Sequence, residues 1–301
     1  MTAVGVIYLM GSHMRSGRGR HNSRTRKFLL AAFDTALLGG WVASWSYHLG
    51  LHGKFGVTSQ EIRVPPEKGL PAPLVIAFAS DFHAGPSTHP ALFTTLIDEL
   101  IARGPDVILL GGDYVSCKAS DIDAIVDGLS RCQPPLGKFA VLGNHDLWSD
   151  DEYISRRLND AGVEILINRS ASLPAPFDCV SICGIDDPWT GSADVAKAFA
   201  NTNSVRIFLT HSPDGLLLLK EEQFDVGFAG HTHGGQIARR DGTSIVSAGG
   251  PLSRIYGRGR FEVPGRGPLI VSLGVGCSSI PVRINADPEL VICTLRPATP
   301  S

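Results

Sequence analysis

The sequence predicts an α/β fold with helices outside and sheets within. Short apolar runs, rich in β-branched residues, alternate with helical patterns from Leu74 onward, and the last third is richer in strands. The composition of 43% hydrophobic and 19% charged residues is typical of an ordered globular protein. A chain of 301 residues has ample material for a buried core, as one large or two small domains.

The predicted elements follow a stiff, proline-rich connection at residues 65–73. The apolar face of Thr88–Arg103 predicts a helix that stops at Gly104, and residues 122–129 predict a second helix. Strands are expected at Leu74–Ala79, Val107–Leu110, Phe139–Leu142, Val163–Ile167, Val180–Ile185, Val205–Thr210, Val226–Ala229, Leu269–Leu273 and Leu290–Leu295.

Polar motifs follow the ends of five predicted strands. They are Asp81-Phe82-His83, Gly112-Asp113, Gly143-Asn144-His145-Asp146, His211 and Gly230-His231-Thr232-His233. Ligands of open α/β sheets gather beyond the carboxyl ends of strands, so we expect these loops to converge on one point. Each motif alone is weak evidence, since a lone Gly-Asp more often caps a turn. Together they supply enough Asp, His and Asn side chains for two adjacent metal sites, which indicates metal-assisted phosphoester hydrolysis.

With these motifs, the chain from about Leu74 to Leu295 resembles the calcineurin-like metallophosphoesterase superfamily. The resemblance implies a four-layer sandwich of two mixed β-sheets flanked by helices. It also implies a metal-dependent phosphoric ester hydrolase with two divalent metal ions. Carboxylate and imidazole ligands suit Mn²⁺, Fe or Zn²⁺, and we expect Mn²⁺.

The resemblance implies which Asp, Asn and His residues of the motifs would hold the two ions. The first ion would be held by Asp81, His83, Asp113 and His233, and the second by Asp113, Asn144, His211 and His231. Asp113 would bridge the two ions, and a hydroxide between them would attack phosphorus. His145 would act as the general acid for the leaving oxygen. Asp146 would orient the ring of His145, with a solvated turn acid as the alternative.

The substrate is expected to be a phosphoester, and a lipid-linked one is favoured. Residues 230–236 and 281–289 are similar to a membrane-associated bacterial branch of phosphodiesterases and phosphatases, some of which cleave UDP-diacylglucosamine. Arg254, Arg258 and Arg260 in a glycine-rich stretch could hold a diphosphate or a lipid headgroup, or belong to a solvated loop. The alternatives are a phosphatase of soluble substrates and a catalytically silent metal-binding scaffold.

The amino-terminal segment predicts a contact with the cell membrane. We expect a basic tail at 1–27, a membrane anchor or signal-like segment at 28–51, and the catalytic domain at 55–298. An apolar span of 24 residues is long enough to cross a bilayer, although Asp34 and Gly39-Gly40 weaken the pattern. The alternatives are a cleaved signal peptide and a soluble helix. The attachment could be single-pass or peripheral, and the side of the membrane stays open.

The uneven charge of the chain argues against nucleic acid as a partner. Six of the 27 basic residues precede the first acidic residue, Asp34, which leaves 21 basic against 29 acidic residues, or about −8, for the rest. A nucleic-acid groove needs a basic stripe, so an acidic catalytic domain disfavours a nuclease.

Overall fold

The computed structural model describes residues 32–245 and 249–298, which form two mixed β-sheets of six strands each. The strands of the first sheet run in the order β1-β12-β2-β3-β4-β5. They are β1 (Gly56–Val64), β2 (Leu74–Ala79), β3 (Val107–Leu110), β4 (Lys138–Ala140), β5 (Val163–Ile165) and β12 (Glu289–Pro297). Its strands from β2 to β5 are parallel, whereas β12 runs antiparallel to β2.

The second sheet has the order β10-β11-β9-β8-β7-β6. Its strands are β6 (Arg169–Ser172), β7 (Val180–Gly184), β8 (Val205–Leu209), β9 (Val226–Ala229), β10 (Gly259–Val263) and β11 (Gly267–Val271). The edge strands β6 and β10 are antiparallel to their neighbours, and the strands between them are parallel.

Helices cover the outer faces of both sheets. They are α1 (Trp41–His48), α2 (Ala91–Arg103), α3 (Asp123–Arg131), α4 (Asn144–Trp148), α5 (Asp151–Asp160), α6 (Val195–Ala198) and α7 (Pro251–Ile255). One apolar core fills the space between the sheets, where the rings of Phe78 and Phe228 lie 5.1 Å apart. Separate cores lie outside each sheet, beneath α2, α3 and α5 on one side and α6 on the other. The four-layer sandwich expected from the resemblance is confirmed.

The strands that the sequence patterns missed lie at sheet edges. The strands β1, β6 and β10 carry many polar residues and are only partly buried, so they lack the apolar run that marks a central strand. Helix α2 begins at Ala91 and not at Thr88, because a residue that precedes a proline, here His89 before Pro90, is disfavoured in the helical region.

The amino-terminal prediction is only partly within the described residues. The basic tail at 1–27 and the start of the predicted anchor lie outside them. Helix α1 is eight residues long, and none of the helices in the described part of the chain has the length and hydropathy to cross a bilayer. The inner side of α1 packs on the catalytic domain, with Ala43 and Ser46 buried. Whether residues 28–51 anchor the chain stays a prediction.

Candidate metal centre

The loops at the carboxyl ends of five strands bring the predicted metal ligands together. Asp81 and His83 follow β2, Asp113 follows β3, and Asn144 follows β4 at the start of α4. His211 follows β8, and His231 and His233 follow β9. Because these strands belong to both sheets, the site lies at one end of the sandwich, where the two sheets meet.

The backbone at this site is held in an uncommon conformation. Five of the ligand candidates have φ between +44° and +69°, the left-handed region that side chains rarely adopt. They are Asp81, His83, Asp113, His231 and His233. Backbone strain of this kind persists where the surrounding structure fixes it, and it concentrates at functional sites.

One cluster of possible ligand atoms combines Asp81, His83 and His233. The Nε2 atoms of His83 and His233 are 3.0 Å apart, and Nε2 of His233 lies 3.5 Å from Oδ1 of Asp81. All three side chains are buried, and their ligand atoms lie within 4.8 Å of one another. Ligand atoms this close together could all bind one metal ion.

A second cluster combines Asp113, His211 and His231, again with ligand atoms within 4.8 Å of one another. Nε2 of His211 lies 3.0 Å from Nδ1 of His231 and 3.4 Å from Oδ2 of Asp113. The amide oxygen of Asn144 adds a fourth donor, 3.2 Å from Nε2 of His211. The donor set is therefore two imidazoles, one carboxylate and one amide.

The Asp113 carboxylate lies between the two clusters. Its Oδ2 atom is 3.5 Å from Nε2 of His83 and 3.4 Å from Nε2 of His211. Its Oδ1 atom accepts the backbone N–H of His145 at 2.8 Å. The clusters thus share one carboxylate, which is held in place by a backbone hydrogen bond.

The protonation of the histidines fits the binding of cations. Burial holds the pKa of His83 and His233 well below the usual range and lowers that of His231 to about 3. Neutral imidazoles offer the lone pair that binds a metal ion. His211 differs, because the Asp113 carboxylate, with Asp81 and Asp187, raises its pKa well above the usual range against the effect of burial. Its Nδ1 donates to the carbonyl oxygen of Gly111 at 2.7 Å, so a cation at Nε2 would take the place of a proton there.

The short distances between imidazole nitrogens of different histidines also bear on whether the site fits a cation. Lone pairs only 3.0 Å apart, as between His83 and His233, repel each other unless a proton or a cation lies close to both. The ring nitrogens of His211 and His231 lie equally close, and both pairs flank the buried carboxylates of Asp81 and Asp113, so divalent cations would stabilise this donor set. The residues present therefore fit a metal centre.

Glycines let the ligand loops approach one another closely. A Cβ atom on Gly143 would lie 2.2 Å from Oδ1 of Asp113 and 2.7 Å from Cε1 of His211. A Cβ atom on Gly230 would lie 2.3 Å from Oδ2 of Asp81. Both positions therefore have no room for a side chain, which explains the glycine in the third and fifth strand-end loops that carry the candidate ligands.

The structure corrects the role predicted for Asp146. Its carboxylate is fully buried and accepts the backbone N–H groups of Asp113 at 2.8 Å, Tyr114 at 2.8 Å and Gly143 at 2.9 Å. It therefore neither orients the ring of His145 nor sits in solvent. Its hydrogen bonds join the loop after β3 to the loop after β4, because the start of α4 turns the side chain back towards these backbone groups.

His145 is oriented by a backbone carbonyl. Its Nδ1 atom lies 2.7 Å from the oxygen of Ser116, which can only accept, so Nδ1 donates. The ring meets the ring of His83 edge-on at 4.7 Å and lies 4.8 Å from that of Trp148. The remaining nitrogen, Nε2, is free of this contact and belongs to a ring at the border of the first cluster.

The three arginines proposed to bind substrate lie in different places. Arg254 is exposed on α7, and Arg258 lies beside the loop of His233, where its guanidinium donates to the carbonyl of Asn285. The guanidinium of Arg260 binds Glu262 and the carbonyl of Glu61. The structure therefore does not bring the charged group of Arg260 to the metal centre.

Sequence reasoning missed Arg283, a buried arginine behind the first cluster. Its Nη2 atom lies 3.2 Å from Nδ1 of His233, and its other donors bind the carbonyl oxygens of Leu273, Gly276 and Ala286. Backbone partners of this kind become visible only in the folded structure. The one available signal was an arginine between apolar residues in the run 281–289.

A second missed residue, Asp214, holds the loop beside His231. Its carboxylate accepts the backbone N–H groups of Gly250 and Leu252 at 2.9 and 2.8 Å, and also the hydroxyl of Ser253. A Cβ atom on the adjacent Gly249 would lie 2.9 Å from Cδ2 of His231. Asp214 thus fixes the start of α7 against the second cluster.

Comparison with known proteins places this site in a family. A model described as calcineurin-like phosphoesterase matches residues 74–235. The chain is 30% identical over 234 residues to phosphodiesterase YaeI of Escherichia coli, covering 74% of this chain and 83% of that protein. It is 28% identical over 279 residues to an uncharacterized metallophosphoesterase of Aquifex aeolicus, covering 88% and 98% of the two chains. It is also 28% identical over 257 residues to a zebrafish (Danio rerio) transmembrane protein with metallophosphoesterase domain, covering 79% and 57%.

Proposed function

Because this chain belongs to the calcineurin-like phosphoesterase family and is a metal-dependent phosphoester hydrolase, we propose that it is a phosphodiesterase with a dinuclear metal centre. The observation that carries the proposal is the position of Asp113, whose Oδ2 atom is 3.5 Å from His83 and 3.4 Å from His211. One carboxylate between two ligand clusters is the arrangement that a pair of ions requires. The name of the Escherichia coli relative supports diester hydrolysis.

Each ion would have four protein ligands. They are Asp81, His83, Asp113 and His233 for the first ion, and Asp113, Asn144, His211 and His231 for the second. When bound, two such ions lower the pKa of a water molecule and neutralise charge on the phosphate oxygens. Mn²⁺ is the proposed ion, because each set joins two oxygen donors to two imidazoles.

The role proposed for His145 is general acid catalysis. Its Nδ1–H donates to the carbonyl of Ser116, so the ring is held with Nε2 as the position that gains and loses a proton. Its backbone N–H donates to Asp113, which fixes the ring relative to the metal centre. A proton held at Nε2 can pass to the leaving oxygen of the diester.

Replacing His145 by alanine is expected to lower kcat by ~10²–10⁴-fold for a diester with an alkyl leaving group, which must be protonated as it leaves. For bis-p-nitrophenyl phosphate the loss should be much smaller, because p-nitrophenolate leaves without a proton. The measurement is the hydrolysis of both diesters by the Mn²⁺-loaded enzyme. The matched control is His48→Ala, which removes an exposed histidine on α1.

A loss of equal size for the two leaving groups would contradict the role of general acid and would indicate that His145 acts through substrate binding or metal retention. An unchanged rate for the alkyl diester would also contradict the role of general acid. The His48→Ala control should hydrolyse both diesters at the rate of the unaltered enzyme.

The substrate that we propose is an amphiphilic phosphoester at the cell membrane, of the kind represented by UDP-diacylglucosamine, in which the bond broken would be the phosphoanhydride of the diphosphate. The basic tail and the apolar segment after it support this proposal, as does the relative named as a transmembrane protein. The test compares kcat/KM for a lipid-linked diester in mixed micelles with that for a water-soluble diester of the same headgroup. A clear preference for the lipid-linked form is expected, and equal values would contradict this choice of substrate.

A further inference from the structure

The outer surface of helix α1 presents large apolar side chains to water. Trp41, Trp45 and Leu49 are exposed to 66, 62 and 74%. They are spaced four residues apart and therefore lie on one side of the helix. Leu51 and Ile284 are exposed as well. These five residues are called the α1 patch.

The opposite side of α1 packs against the rest of the described chain. Ala43 and Ser46 are buried, and the hydroxyl of Ser46 donates to the carbonyl of Pro281. The ring of Tyr47 stacks on that of His89, with centroids 4.1 Å apart and planes 9° from parallel. The α1 patch is therefore held outward by packing on the inner side of the helix, and its apolar surface has no partner among the described residues.

The α1 patch lies next to loops of the metal centre. The carbonyl of Leu51 accepts the backbone N–H of Arg283 at 2.7 Å, and the guanidinium of Arg283 lies 3.2 Å from Nδ1 of His233. Before the helix, Asp34 pairs with Lys118 at 3.6 Å. Lys118 is two residues beyond the carbonyl that orients the catalytic histidine. Asp34 and Leu51, which flank α1, thus contact the loops that position the general acid and the first cluster.

We propose that the α1 patch inserts into an anionic lipid surface and so turns the metal centre towards the headgroups. Tryptophan side chains favour the membrane–water interface, where the ring meets both hydrocarbon and polar groups. The segment 15–27 before the helix carries six basic residues and no acidic one, which attracts it to anionic headgroups. This inference rests on the proposed membrane substrate and adds the place of contact.

The charge pattern favours a lipid surface over a second copy of the chain as the occupant. A symmetric pair built on the α1 patch would join two chains that carry the same positive charge in residues 15–27, and like charges do not attract. On an anionic surface the same charges are attractive and act together with the apolar side chains.

The experiment measures the partition of the full chain onto vesicles by sedimentation. The probes are vesicles of phosphatidylcholine with phosphatidylglycerol and vesicles of phosphatidylcholine alone. The test variants are Trp41→Ser with Trp45→Ser, and separately Leu49→Glu. The matched control is Ile101→Ser, which removes an exposed apolar side chain from the outer surface of α2. Hydrolysis of bis-p-nitrophenyl phosphate in the absence of vesicles reports whether each variant folds.

The unaltered chain should bind the anionic vesicles preferentially, and each test variant should bind them at least ~10-fold more weakly with unchanged hydrolysis of the soluble diester. The Ile101→Ser control should bind as the unaltered chain does. Unchanged binding of both test variants would overturn the proposal, as would the absence of vesicle binding or a dimer that the same substitutions dissociate. Since binding is measured without turnover, loss of diester hydrolysis in the unaltered chain would contradict the proposed function alone.

Discussion

Replacing Asp113 by alanine is expected to reduce diester hydrolysis by at least ~10³-fold, the largest effect of any single substitution in this chain. Asp113 is the one carboxylate that the two ligand clusters share, so its loss leaves each proposed site with three protein ligands and removes the link between them. Several kcal/mol of transition-state stabilisation depend on the paired ions, which corresponds to a loss of this size. The measurement is kcat/KM for bis-p-nitrophenyl phosphate with saturating Mn²⁺.

Two controls separate this effect from unfolding. Asp127→Ala removes an exposed carboxylate from α3 and should leave both kcat/KM and stability unchanged. The urea midpoint of Asp113→Ala reports whether that variant is folded at the temperature of the assay. A folded Asp113→Ala enzyme that retains more than about a tenth of the rate would remove the case for a shared carboxylate.

The second large effect is expected at Asp146. The buried carboxylate accepts the backbone N–H groups of Asp113, Tyr114 and Gly143 at 2.8–2.9 Å and that of Val115 at 3.4 Å. In Asp146→Ala these donors lose their partner in a buried region, so we expect the free energy of unfolding to fall by about 3–5 kcal/mol. The loop that carries Asp113 should also move, and the backbone of His145 is bonded to Asp113, so kcat should fall as well.

The conservative change Asp146→Asn tests this explanation, because the amide keeps one accepting oxygen and places an NH₂ group against the other donors. Its loss of stability should lie between those of the unaltered chain and Asp146→Ala. The matched control is Asp150→Asn at the start of α5, where asparagine caps a helix as well as aspartate does. Urea unfolding that moves by less than about 1 kcal/mol in Asp146→Ala would show that these hydrogen bonds contribute little to the fold.

The sequence predicted which side chains come together at the site because strand ends converge in an α/β sheet. Asp81, His83, His211 and His233 each follow a strongly apolar run, so their strands could be placed and their loops brought to one edge. The role of Asp146 could not be found in this way. Two of its partners, the N–H groups of residues 113 and 114, are more than 30 positions away, and the start of α4 decides which way its side chain points.

Three features that the sequence patterns did not predict have a common physical cause. The edge strand β1 carries polar residues on a partly exposed surface, so no period-two apolar pattern marks it. In helix α1 the small residues Ala43 and Ser46 pack inward while Trp41 and Trp45 face outward. An apolar sequence pattern indicates such a helix but not which of its sides meets the domain. Arg283 was missed for a related reason, because only the fold shows the carbonyl groups that bind it.

The most direct test of the dinuclear centre is the anomalous diffraction of crystals of the full chain soaked with Mn²⁺. Two peaks about 3.5–4 Å apart are expected, one beside Asp81, His83 and His233 and the other beside His211 and His231. The Asp113 carboxylate should lie between them, within bonding distance of both. A single peak, or two peaks of which only one contacts Asp113, would contradict the shared carboxylate on which the proposed mechanism depends.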